Sequence, residues 1–279
     1  MVTVLRNGLI TLALAVSVVV ALVSIPRGGD VDYPTWTQRA VSIAQHVATA
    51  RLPEPSKLTR TTALFSGLPR RIGQTALLVF GAMFVALAIA LPVGVASAQE
   101  QGRSVARQIG RVLTGLSSLP VIVWATVLLL LSLRFQVSFT GRPSTALLAA
   151  IVALVLGDRL VGDLIGRVSA VTRDLLAEPH MRTVRAAGFS VFRHLVQGLV
   201  PPVADAVASR TLFLVGGAIV AESLFSVQGL GTLVLKALNE NPLERELVVV
   251  CAIGLVLLGT IVRALAEGAA LLADGRRRG

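Results

Sequence analysis

The segment Arg182–Pro202, RTVRAAGFSVFRHLVQGLVPP, separates two apolar stretches of a hydrophobic chain. Gly188 stands near its centre, and Pro201 and Pro202 close it. Glycine is common just past a helix end, and Ser190 is suited to cap the helix that follows. The segment therefore predicts a short basic helix, a glycine corner and a second helix that the two prolines end or kink.

The second predicted helix is amphipathic. Its apolar residues recur at the spacing of one helical face, and they are Phe192, Leu195, Val196 and Leu199. Polar side chains take the opposite face. Such a helix lies along a membrane surface or offers one face to a cytoplasmic protein, and the pattern leaves both interpretations open.

The apolar tracts around this segment indicate a membrane protein. The 279-residue chain is 54% hydrophobic and 15% charged, whereas soluble domains carry about 25% charged residues. A spanning helix needs about 20 apolar residues, and continuous runs exclude the alternating pattern of a transmembrane barrel. We predict an all-α integral membrane protein with about six transmembrane helices, over residues 8–26, 72–98, 112–133, 144–167, 204–224 and 247–272.

These helices divide the chain into four parts. Residues 1–26 form an N-terminal transmembrane helix, which is longer than the core of a signal peptide and is expected to be retained. Residues 27–71 are extracytoplasmic, residues 72–272 form the transmembrane core, and residues 273–279 are a basic cytoplasmic tail. The basic segment inside the core covers about residues 174–200.

The net charge of +11 is best explained by topology. Arginines stand at the ends of apolar tracts, and their distribution favours cytoplasmic N- and C-termini. The aromatic content is only 4%, so we expect membrane lipid as a partner and no nucleic acid.

Enzyme and metal signals are weak. The sequence has no G-x-x-x-x-G-K-[ST] phosphate loop, so we expect no ATP binding by this chain. The three histidines lack metal-ligand spacing, and the single cysteine, Cys251, excludes an intrachain disulfide. We expect neither a catalytic site nor a metal site.

Acidic residues within the predicted spans are candidates for a polar translocation path, and they are Asp158, Asp163 and Glu222. An aspartate at the centre of a span costs about 2.5–3.5 kcal/mol on insertion scales, so such groups usually face a cavity or a partner. Alternatively, Asp158 and the adjacent Arg159 lie near the inner interface or pair with other charges. On one helix, Asp158 and Asp163 would point about 140° apart.

The basic segment resembles the coupling motif of binding-protein-dependent ABC importer permeases, E-A-A, three residues, G, nine residues, I-x-L-P. Nine residues also separate Gly188 from the G-L-V-P of residues 198–201. Arg182–Gly188, R-T-V-R-A-A-G, is similar to R-T-A-R-A-K-G of the oligopeptide/dipeptide/nickel branch, although it departs from E-A-A. Gly216–Gly231 resembles the branch's G-G-A-x-x-x-E-x-x-F-x-x-x-G-x-G. The resemblance covers about residues 66–272.

This resemblance implies the type I ABC importer permease fold with a cytoplasmic coupling helix. The chain would be a non-catalytic subunit of a bacterial inner membrane importer. The expected partners are a homologous second permease, two ATP-binding subunits or one fused ATPase, and an extracytoplasmic substrate-binding protein. ATP and magnesium would bind to the ATPase subunits and no cofactor to this chain. The implied ATPase-coupling residues are Arg182, Thr183, Val184, Arg185, Ala186, Ala187, Gly188, Phe189 and Ser190.

The branch implies peptides as the substrate. Import of nickel, of a metal chelate or of another small solute stays open, because in this family the binding protein largely selects the cargo. A stand-alone channel or secondary transporter is the alternative from another class, and it leaves the coupling-like segment unexplained.

Overall fold

The computed structural model describes residues 41, 67–99, 104–136, 143–187, 191–239 and 245–273. The predicted helix over residues 8–26, most of the segment 27–71 and nearly all of the tail 273–279 lie outside these ranges. From residue 67 onward, the helices are α1 Leu68–Ala98, α2 Ser104–Leu116, α3 Val121–Phe135, α4 Pro143–Leu156, α5 Leu160–Ala177, α6 Pro179–Ala186, α7 Val191–Leu224, α8 Leu230–Asn239 and α9 Arg245–Ala273.

The described helices have the length and composition of membrane spans. Helices α1, α7 and α9 are each long and apolar enough to cross a membrane. Helices α2 and α3 meet at a bend of 97°, and α4 and α5 meet at a bend of 50°. If each of these pairs is counted as one span, the two pairs add two further spans. The prediction of an all-α membrane protein is therefore confirmed, with three to five candidate spans in the part of the chain that the structure describes.

Small residues let the central helices approach closely. On α1, Ala82, Ala86 and Ala90 repeat every fourth residue and are fully buried. A Cβ atom on Gly94 would lie 2.6 Å from Cγ1 of Val168 on α5. In a bilayer, helix association depends on such close packing, because apolar side chains gain little by leaving lipid for protein.

The prediction of one helix over residues 112–133 is wrong. Helix α2 already begins at Ser104 and ends at Leu116, and α3 starts after Pro120. Proline disfavours helical backbone at the residue before it. The hydroxyl groups of Ser117 and Ser118 also donate to backbone carbonyls three residues earlier, at 3.0 and 2.6 Å, and so compete with the helical ladder.

The helix predicted over residues 144–167 is also broken. Helix α4 ends at Leu156, and Asp158 and Arg159 take the left-handed conformation, with φ of 49° and 62°. The predicted 140° relation between Asp158 and Asp163 is therefore wrong, because the two residues do not share a helix. Backbone hydrogen bonds to a distant turn, described below, stabilise this break.

Of the two outcomes predicted for Pro201 and Pro202, the end of a helix is wrong. Both lie inside α7, which runs from Val191 to Leu224. Leu195 and Leu199, on the N-terminal side of the prolines, are buried in a cluster with Val168 of α5. This packing stabilises the first turns of α7, although the two prolines provide no amide donors to the helix.

Candidate functional site

Helix α6, Pro179–Ala186, occupies the place of the predicted basic helix, between α5 and α7. The Met181 side chain is 1% exposed and anchors the helix. Thr183, Ala186 and Ala187 are exposed. Helix α6 therefore combines one buried anchor with an exposed surface of small side chains.

The centre of the predicted coupling segment lies outside the described residues. Gly188, Phe189 and Ser190 lie outside the described residues, and the described part does not include the side chains of Arg182 and Arg185. The glycine corner and the serine cap therefore stay predictions. After them, the apolar stripe predicted from residue 192 onward begins α7, and its Leu195 and Leu199 pack toward α5.

The two helix breaks are hydrogen-bonded to each other. The amide of Asp158 donates to the carbonyl of Leu119 at 3.1 Å, and the amide of Arg159 donates to the carbonyl of Ser117 at 2.6 Å. In return, the amide of Val121 donates to Oδ1 of Asp158 at 3.4 Å. Backbone groups freed from a helical ladder inside a membrane need such partners. Each break thus provides hydrogen-bond partners for the other, and we call this contact the break junction.

Two glycines allow the break junction to close. A Cβ atom on Gly157 would lie 2.7 Å from Cα of Val121. One on Gly162 would collide with Oγ of Ser117 and lie 3.0 Å from Cα of Thr114. Real Cβ atoms essentially never approach this closely, so both positions need glycine.

Charged side chains connect α5 to α7 beside the junction. Asp163 forms an ion pair with Arg210 and lies 3.9 Å from Arg159. Nη2 of Arg167 donates to Oδ2 of Asp205 at 3.0 Å. In the first cross-helix pair the acidic residue is on α5 and the basic residue is on α7, and in the second pair this order is reversed. We call these five residues the charge ladder.

Asp158 lies close to the ladder. It lines a small cleft with Arg210 and Phe213, and the guanidinium of Arg210 lies 5.6 Å from the centre of the Phe213 ring. The structure therefore brings two of the three predicted path residues, Asp158 and Asp163, around one arginine.

Glu222 is in a separate place and caps α8. Oγ1 of Thr75, on α1, donates to Oε1 of Glu222 at 2.6 Å. The amides of Gly231 and Thr232 donate to Oε2 at 2.8 and 3.2 Å. The amide of Leu230 donates to Oγ1 of Thr75 at 2.8 Å. The first three amides of α8, which have no partner within their helix, are all satisfied in this way. We call this arrangement the α8 cap.

Residues of the motif Gly216–Gly231 form most of the cap. A Cβ atom on Gly229 would collide with the Glu222 carboxylate, and one on Gly231 would lie 2.6 Å from Cα of Ile219. Phe225 is fully buried at the turn. The acidic, aromatic and glycine residues of the motif therefore build one helix connection.

The α8 cap and the charge ladder are distinct sites. Twelve positions of α7 separate Arg210 from Glu222, which is about 18 Å along a helix. Glu222 has no exposed surface in this chain. Thr75, Arg167, Asp205 and Arg210 were not among the site residues predicted from the sequence. Asp205 and Arg210 were detectable as charges inside the predicted span 204–224.

An apolar groove of about 760 Å³ lies between α1, α7 and α9. Its lining includes Leu91, Leu199 and Val262, together with the polar residue Gln99. Within the described ranges, no three His, Cys, Asp or Glu side chains are grouped closely enough to hold a metal ion. The lining of this groove is mostly apolar, whereas Asp158 and the charge ladder lie outside it.

Part of the chain is similar to characterised permeases. A stretch of 95 residues is 32% identical to the glutathione transport system permease protein GsiC of Salmonella typhimurium strain LT2. The corresponding identity is 30% for GsiC of Escherichia coli strain K12. In each case the match covers 32% of this chain and 31% of the relative, so the chain spans about a third of the length of these relatives.

Residues 90–268 match the family model of the binding-protein-dependent transport system inner membrane component. This range covers more than half of the 279 residues and includes α6, the break junction, the charge ladder and Glu222 of the α8 cap. The resemblance seen around Gly188 is therefore confirmed over most of the described helices. The chain belongs to the binding-protein-dependent inner membrane components, the permease subunits of ABC importers.

Proposed function

We propose that this chain is the transmembrane permease subunit of an ATP-driven importer for peptides, supplied by an extracytoplasmic substrate-binding protein. The family supports the transport role, and the R-T-V-R-A-A-G stretch supports the peptide branch. The permease GsiC, with which the chain shares 32% identity over 95 residues, is named for transport of glutathione, a tripeptide.

The observation that carries the coupling role is the place of α6. Its buried Met181 attaches it to the bundle, and Thr183, Ala186 and the following Ala187 are exposed to a partner. We infer that residues 182–190 dock on an ATPase subunit. Closure of the ATPases would then move α6 and the two helices that it connects.

The connections of α5 carry this motion further. One turn separates α6 from α5, where the amide of Glu178 donates to the carbonyl of Leu175 at 3.3 Å. The other end of α5 is tied to α2 and α3 through the break junction and to α7 through the charge ladder. Packed elements with such contacts shift as units, which is how small displacements reach distant parts of a protein.

The proposed path runs along the charge ladder, with Asp158 and Asp163 among its lining residues. Glu222 belongs to the path through α8, which its carboxylate holds in place. A homologous second permease completes the path. Two ATP-binding subunits or one fused ATPase hold ATP and magnesium, so this chain needs no cofactor and catalyses no reaction.

The proposed location is the bacterial inner membrane, with both termini and α6 on the cytoplasmic side. Residues 27–71 then lie outside, where the substrate-binding protein docks. Cargo such as a nickel chelate or another small solute is an alternative outcome of the functional test.

The test is reconstitution of the permease pair with its ATPases and binding protein in proteoliposomes. We expect uptake of a labelled tripeptide that requires ATP and the binding protein, and peptide-stimulated ATP hydrolysis. Tripeptide uptake that continues at the same rate without the ATPase subunits would identify a secondary transporter instead. ATP-dependent uptake of a nickel chelate but of no peptide would move the chain to the alternative cargo.

A further inference from the structure

One ion pair of the charge ladder, Arg167 with Asp205, is exposed, and we call this pair the open rung. Arg167 and Asp205 are 3.0 Å apart, yet their side chains remain 49% and 74% exposed. Asp205 lies within the candidate membrane span His194–Leu224. Because a charge in hydrocarbon costs about 2.5–3.5 kcal/mol on insertion scales, this rung is expected to face a water-filled cavity or protein rather than lipid.

Arg167 and Asp205 of the open rung can readily exchange each other for new ion-pair partners. An exposed ion pair contributes about 0–1 kcal/mol, so separating its partners costs little when each gains a new one. A guanidinium binds a carboxylate through two parallel hydrogen bonds, and an aspartate accepts hydrogen bonds from an ammonium group. The neighbouring pair of Asp163 and Arg210 is more enclosed, at 31% and 30% exposure, and Arg159 also lies beside it.

The charges around the open rung sum to zero. The charge ladder and the adjacent Asp158, together called the charged face, hold three arginines and three aspartates, namely Arg159, Arg167, Arg210, Asp158, Asp163 and Asp205. A solute with equal positive and negative charge finds a partner for each. A solute with a net charge leaves one charge without a partner, and a charge that the solute covers without pairing is costly.

Building on the proposed function, we propose that Arg167 and Asp205 form an exchangeable subsite for zwitterionic peptides. Arg167 binds the peptide carboxylate, Asp205 binds the peptide ammonium group, and the two side chains pair again when the peptide leaves. The balanced face disfavours peptides that carry a net charge.

The experiment compares three peptides in the reconstituted complex with one fixed binding protein. Trialanine carries both charges, N-acetyl-trialanine only the carboxylate, and trialanine amide only the ammonium group. The variants are Arg167→Gln, Asp205→Asn and the double variant. Since the binding protein is the same throughout, a change in the uptake ratio between variants originates in the permease.

Asp205→Asn leaves a surplus positive charge, so we expect the ratio of acetylated to amidated peptide uptake to rise by about tenfold, the factor that 1.4 kcal/mol represents. Arg167→Gln is expected to shift this ratio in the opposite direction. The matched control is Arg263→Gln, because Arg263 is exposed and pairs with Glu267 on its own helix at 2.7 Å. The control ratio should stay at the wild-type value.

The double variant removes both charges and keeps the face neutral. It therefore separates an effect of charge from an effect of misfolding. We expect it to retain the wild-type ratio of the two blocked peptides and to lose the advantage of free trialanine. An unchanged advantage of free trialanine in the double variant would overturn the inference. Equal scaling of all three uptake rates in the single variants would do the same. If the wild-type complex imports none of the three peptides, the proposed function itself fails.

Discussion

Glu222 and Thr75 are 147 positions apart in the chain, and their side chains meet in a buried hydrogen bond of 2.6 Å. The Thr75 hydroxyl accepts from the amide of Leu230 and donates to the Glu222 carboxylate. This hydroxyl therefore connects α1, α7 and α8 through two hydrogen bonds. It also accounts for a carboxylate that has no exposed surface within a membrane span.

Removing the Thr75 hydroxyl should loosen α8. Thr75→Val leaves the amide of Leu230 and one carboxylate oxygen without a partner, and a buried unsatisfied group costs about 1–3 kcal/mol. We expect a lower Tm in detergent and faster hydrogen exchange at the amides of residues 230–232. Thr75→Ser keeps the hydroxyl and should exchange far more slowly than Thr75→Val. Thr260→Val, which loses only a hydrogen bond within α9, is the control. Equal exchange in Thr75→Val and Thr260→Val would contradict the cap.

Methyl groups at two glycines of the same helical region should have opposite effects. Gly157→Ala places a Cβ atom against the backbone of Val121 and should destabilise by about 1–3 kcal/mol, the usual cost of overpacking. Gly166→Ala meets no atom within 4 Å and should be neutral or stabilising by up to about 1 kcal/mol, because alanine favours helix. Thermal unfolding of the purified chain measures both. A Tm for Gly157→Ala as high as that of Gly166→Ala would show that the break junction is not tightly closed.

A bulky residue directly after α6 should weaken ATPase binding. Ala187 is exposed beside the predicted coupling glycine, and Ala187→Trp changes the shape of that surface without removing a buried contact. Gly188→Val tests the predicted glycine corner, where a branched side chain disfavours positive φ. We expect about tenfold less ATPase co-purified with the permease, which corresponds to about 1.4 kcal/mol. Ala264→Trp on the exposed side of α9 is the matched control. Normal co-purification and normal peptide-stimulated hydrolysis in both variants would show that this segment is only a surface anchor.

Cysteine labelling should place two exposed residues on opposite sides of the membrane. After Cys251→Ser, which removes the buried native thiol, Val41→Cys should react with an impermeant reagent in intact cells. Thr183→Cys should react only after the membrane is opened. This follows from the predicted topology, with residues 27–71 outside and α6 inside. Labelling of both positions from the same side would exclude it.

Local properties of the sequence predicted much of this protein. Continuous apolar runs determined the helical membrane class, because hydrogen-bond satisfaction in lipid leaves few other structures. The spacing from Gly188 to Pro201 and the motif Gly216–Gly231 identified the family that the comparison confirms. The acidic residues of the spans were also visible, since charges stand out in an apolar run.

The tertiary structure alone decided where helices break and what the charges do. The turn at Asp158 is stabilised by Val121, 37 positions away, so hydropathy along one tract could not reveal it. Pro201 and Pro202 stay within α7 because Leu195 and Leu199 pack in a cluster with Val168 of α5, a contact that overrides the local preference of proline. Asp163 and Glu222 look alike in sequence, yet one pairs with an arginine across two helices and the other caps a helix. Their roles depend on which groups the fold brings within hydrogen-bonding distance, and no local pattern contains that information.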